Sequence, residues 1–116
     1  MARKRPVVNK RKRAQALADR LKDALGLDAC VPLLTPDSAA EYGRELPDNL
    51  YKFYLEREGI KTAVQVSRRH FLARDYNEDE FFQVVARSWL NYLNMLAAGL
   101  AINTYRTMER VSESTS

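Results

Sequence analysis

Ala14, Leu17, Ala18, Leu21, Ala24 and Leu25 recur at intervals of three and four residues, the spacing of one face of an α-helix. Asn9 stands where an N-cap belongs and Gly26 where the helix should stop. Residues 27–36 read as a connector containing Pro32 and Pro36, and Thr35 before Pro36 predicts a short capped helix to about Glu45. Pro47 begins or kinks the next segment, where Leu46, Leu50, Phe53 and Tyr54 form an apolar stripe that ends at Gly59. From Ile60 to Arg74 a fourth helix would place Ile60, Ala63, Val64, Ser67 and Phe71 on one side. Lys61, Gln65, Arg68 and Arg69 would lie on the other.

The fifth helix has the clearest pattern. Asn77 and Glu80 form a capping-box pair, and Glu78 and Asp79 favour a helix start. The apolar side, with Phe81, Phe82, Val85, Trp89, Tyr92, Leu93, Leu96, Gly99 and Leu100, continues to about Val111, a rod of roughly 50 Å. The fold predicted is all-α: a single bundle of about five helices with a long C-terminal helix. A basic arm occupies residues 1–13, the bundle 14–111 and a frayed tail 112–116. In this arrangement Trp89 is a core anchor, and Tyr51 is the aromatic residue best placed to be exposed.

Charge changes the picture. The chain has 19 basic and 15 acidic residues and a formal charge of +4. Arg3, Lys4, Arg5, Lys10, Arg11, Lys12 and Arg13 all precede the first carboxylate, Asp19. The arm therefore carries +7 and the rest of the chain, with 12 basic against 15 acidic residues, carries −3. Such a block self-repels and marks either a polyanion-binding arm or a solvated tail. Lys61, Arg68, Arg69 and Arg74 form a second basic group, and no acidic residue lies between Ile60 and Arg74. A surface shaped for solubility alone would mix signs to gain i,i+4 pairs. These eleven side chains are the candidate nucleic-acid contacts, reading phosphate rather than sequence.

Catalytic chemistry is not indicated, and no cofactor is implied. His70 is the one histidine and has no second His or Cys ligand to make a conventional zinc site with it. The carboxylates at 75–80 are explained by helix capping, so no metal site is assigned. Cys30, the single cysteine, excludes an internal disulfide and fits a reducing compartment. The longest apolar stretch, Trp89 to Ile102, is broken by Asn91 and Asn94 and is too short to span a bilayer, so a cytoplasmic location is expected.

Two stretches resemble the small helical subunit of type III-B CRISPR effector complexes. One is Glu41-Tyr42 followed by Leu46-Pro47 and Glu58-Gly59-Ile60-Lys61-Thr62-Ala63-Val64; the other is Asp79-Glu80-Phe81 with Trp89-Leu90-Asn91-Tyr92-Leu93-Asn94. The resemblance covers about residues 41–105, with extra residues between Leu46-Pro47 and Gly59 and a denser basic arm. It implies a non-catalytic, RNA-binding subunit of an antiviral ribonucleoprotein. Its copies would self-stack in a filament against other subunits and contact the guide–target backbone through Lys61, Arg68, Arg69 and Arg74. Two other readings stand beside it. One is a stand-alone basic architectural DNA-binding protein of phage or plasmid origin; the other is a helical protein–protein adaptor whose arm is a tail.

Overall fold

The computed structural model describes residues 8–115, with side chains described through residue 99. Helix α1 (Lys10–Leu25) begins and ends where the sequence signals lie. The Asn9 side chain accepts a hydrogen bond from the Lys12 N–H at 3.1 Å, and Gly26 closes the helix in the left-handed conformation with φ 63°. Strand β1 (Ala29–Leu33) follows within the predicted connector, and α2 (Pro36–Glu41) is capped by Thr35 as its sequence requires.

The predicted all-α bundle is not the fold. Where helices were expected over residues 46–74, β2 (Leu50–Arg57) and β3 (Ile60–Ser67) form a hairpin, and the one-turn helix α3 (Arg68–Phe71) follows. The strands are antiparallel in the order β1-β2-β3. Glu58 and Gly59 both have positive φ, 51° and 80°, and they connect the paired residues Arg57 and Ile60. This is the two-residue, doubly left-handed turn whose twist matches that of the flanking strands. Gly59 accordingly turns a hairpin rather than ending a helix.

The reason the segment prefers strand is its alternation. Tyr51, Phe53 and Leu55 point to one face of the sheet, opposite Val66, Val64 and Thr62 of β3. That face is covered by Ala14, Leu17, Ala18 and Leu21 of α1 and by Val85 and Trp89 of α4 (Glu78–Thr115). Tyr54 points the other way and packs with Leu33 and Ala39 beneath α2. Both faces of β2 are thus buried at its centre, and Phe53-Tyr54-Leu55 reads as a continuous apolar run that hides period two. Pro32 is accommodated because β1 is an edge strand.

Phe71 joins the layers. Its ring meets Tyr51, Phe53, Tyr76 and Phe81 edge-on at centroid distances of 5.1–6.1 Å. Tyr51 is buried in this cluster, contrary to its expected exposure, because it faces the helices from a strand. Trp89 is 1 % exposed, the core anchor its helical phase predicts. At the start of α4 the Asn77 side chain accepts from the Glu80 N–H at 3.3 Å. Arg20 of α1 pairs with Glu78 and Asp79 at 3.2 and 2.6 Å, so the acidic first turn also ties the two long helices together.

Candidate nucleic-acid interface

Of the predicted basic arm, Arg3, Lys4 and Arg5 lie outside the described residues. Lys10, Arg11, Lys12 and Arg13 are helical rather than part of a free arm, and they form the first turn of α1, which contains no acidic residue. A helix N-terminus carries partial positive charge, so four cations there oppose the macrodipole. An anion placed against this turn would relieve that repulsion.

Arg13 has a different task from its three neighbours. Its Nη1 donates to the carbonyl oxygens of Phe71 and Ala73 at 2.6 and 3.1 Å, and its guanidinium lies 4.2 Å from the centroid of the Tyr76 ring. These partners are 58 and 60 residues away in sequence. Arg13 therefore caps the Phe71 carbonyl at the end of α3, shares the Ala73 carbonyl with the Tyr76 N–H, and fixes the start of α1 against that segment. Arg13, one of the predicted phosphate contacts, thus has its guanidinium engaged within the fold.

The second basic group also divides. On a helix, Lys61 and Arg68 would be neighbours about 10 Å apart along one face. Seven residues of strand instead separate them by about 23 Å. Lys61 sits near the hairpin turn opposite Glu56, and Arg68 follows the far end of β3. The predicted Lys61–Arg68–Arg69 surface does not exist. Arg68, Arg69 and His70 share α3, which is capped by Ser67, and Arg74 follows it on an exposed loop. His70 is exposed, and its Nδ1 lies 2.8 Å from Ser67 Oγ.

What the structure does bring together is the start of α1 and the Phe71–Ala73 segment, through the Arg13 bridge, while Arg11 lines a separate depression with Val31, Leu34 and Thr35. Arg68 is itself held in place. Its N–H donates to the Asn49 carbonyl at 3.0 Å and its Nη1 to the Asp48 carbonyl at 3.1 Å. No signal in the sequence marks the Arg13 bridge, since it depends on where the tertiary fold places the Phe71 and Ala73 carbonyls. Acidic Asp48 and Asp75 border the basic end.

Among the described residues no group of three or more His, Cys, Asp or Glu could hold a metal ion. Cys30 is buried, and desolvation pushes its thiol up to about 12, leaving it protonated and unreactive at neutral pH. No helix among the described residues is long and apolar enough to cross a membrane. No protein-family model, curated protein or solved structure matches this chain. The residues that carried the CRISPR-subunit resemblance around Glu58–Val64 form the β-hairpin instead of two successive helices.

Proposed function

We propose that the protein is a non-catalytic nucleic-acid-binding module that grips the sugar–phosphate backbone with one end of its αβαββαα fold. The observation that carries this reading is the Arg13 bridge. It locks a helix start bearing Lys10, Arg11 and Lys12 beside the turn bearing Arg68, Arg69 and the following Arg74. The Arg13 bridge sets the backbones of two basic segments against each other although they are far apart in sequence, and Arg3, Lys4 and Arg5 precede the first of them in the chain. Exposed Arg and Lys in this setting position a backbone without reading bases. Arg68 and Arg69 are the better suited to bidentate phosphate contact. The reading stands on this geometry and not on the family resemblance.

The test is the salt dependence of binding. Each phosphate contact contributes roughly −0.7 to −0.9 to the slope of log K against log salt. Replacing Lys10, Arg11 and Lys12 with Gln should flatten the slope by about 2 to 3, and Arg68→Gln with Arg69→Gln by about 1 to 2. Lys61→Gln, at the far end of the sheet, should leave it unchanged. Equal effects from Lys61 and from the α3 arginines would remove the localised surface and leave only diffuse charge.

A further inference from the structure

Beside α3 lies an open depression of about 460 Å³ whose walls combine apolar and cationic groups. Leu50 and Leu72, both half-buried, form its apolar side, and Asn49, Ser67, Arg68 and Arg69 its polar side, with Asp48 also in the lining. We infer that this recess receives an unpaired nucleotide, so that the protein takes single-stranded nucleic acid in preference to duplex. The inference rests on the nucleic-acid reading above and names the ligand class of the same surface.

The chemistry of the lining separates this from a plain phosphate contact. A duplex keeps its bases stacked and offers the protein mainly phosphate and sugar, for which a charged convex surface suffices. A recess pairing leucine side chains with guanidinium planes suits a splayed-out base, which is covered by apolar groups and stacks on arginine. Arg69 is exposed at the rim and suited to the adjoining phosphate. Asn49 supplies both a donor and an acceptor for a base edge. Asp48 lowers the net charge of the recess, which suits one nucleotide better than a cluster of phosphates.

The recess is also built to hold its shape. The turn that presents Asn49 and Leu50 is closed by the Leu50 N–H donating to the Pro47 carbonyl at 3.1 Å. That turn is tied to α3 by the two Arg68 hydrogen bonds to Asn49 and Asp48. On the opposite wall, Leu72 lies between Phe71 and Ala73, the two residues whose carbonyls Arg13 holds. A preformed site of this kind avoids ordering its walls when the ligand arrives.

The experiment uses the full chain with a twelve-nucleotide oligothymidine and the corresponding duplex at one salt concentration. Affinity is read by fluorescence anisotropy and contact by backbone amide NMR shifts. The single strand should bind about tenfold tighter, within what one stacked base contributes. Asn49, Leu50 and Leu72 amides should shift with the single strand and stay in place with the duplex. Leu72→Asn should remove the preference while leaving duplex affinity unchanged; if that variant fails to fold, the shifts on the unaltered chain decide. Equal affinity for both forms, or a preference without shifts at these three residues, overturns the inference and leaves backbone binding standing. Binding to neither form overturns both.

Discussion

Arg13 separates a structural cation from a ligand-binding one, and its replacement has a calculable cost. Arg13→Met keeps the aliphatic stem and removes the guanidinium. Two charge-assisted hydrogen bonds to the Phe71 and Ala73 carbonyls and the contact with the Tyr76 ring are lost together. Hydrogen bonds to charged groups contribute about 1.5–3 kcal/mol each when well shielded. These are part-buried, so the lower end applies, and water satisfies some of the freed carbonyl valence. Adding about 0.5–1 kcal/mol for the aromatic contact gives about 3.5–4 kcal/mol before rehydration of the carbonyls, which reduces the net loss to about 2 kcal/mol. For a chain of this size that corresponds to a fall in Tm of about 6–10 °C. Urea unfolding followed by the fluorescence of Trp89, the single tryptophan, measures it directly. Arg11→Met, at an exposed position on the same turn, should stay within about 0.5 kcal/mol of the parent. If Arg13→Met left stability unchanged while flattening the salt slope of nucleic-acid binding, Arg13 would be a phosphate ligand and the bridge to α3 would be wrong.

Trp89→Ala should destabilise the fold by about 3–5 kcal/mol, because the side chain is almost wholly enclosed by both helices and the sheet; calorimetry showing a change below 1 kcal/mol would contradict that packing. Gly59→Val places a β-branched residue at φ 80° and should cost at least about 1 kcal/mol in thermal unfolding; an unchanged Tm would contradict the left-handed turn. Burial raises Cys30 from its ordinary 9.0 to about 12 and Tyr76 from 10.0 to about 12. In both cases the unfolded chain releases its proton first, so their contribution is complete below about pH 9 and is lost progressively between pH 9 and 12. The urea midpoint should therefore hold steady from pH 7 to 8.5 and fall above pH 9, and Cys30→Ala should blunt the first part of that fall.

The helix boundaries of this protein are written in local chemistry. Asn9 and Gly26 bracket α1, Thr35-Pro36 opens α2 and Asn77 opens α4, because a cap needs only a side chain and the backbone within a few residues of it. The long apolar stripe that buries Val85 and Trp89 is equally local in its 3.6-residue period. The sheet is different. Leu50 to Leu55 fits a helical stripe through Leu50, Phe53 and Tyr54 and a strand through Tyr51, Phe53 and Leu55. A window this short does not separate the two periods once Tyr54 is also buried. The β-branched Thr62, Val64 and Val66 and the Glu58-Gly59 pair were the signals pointing to a hairpin. What tips the balance is tertiary: β2 has partners on both edges and cover on both faces, and no isolated segment contains that information. The basic residues follow the same division. Basic residues are visible in the chain from the start, but strand geometry moves Lys61 about 23 Å from Arg68. Only the Phe71 and Ala73 carbonyls, reached by Arg13 from 58 and 60 residues away, decide which segment the start of α1 packs against.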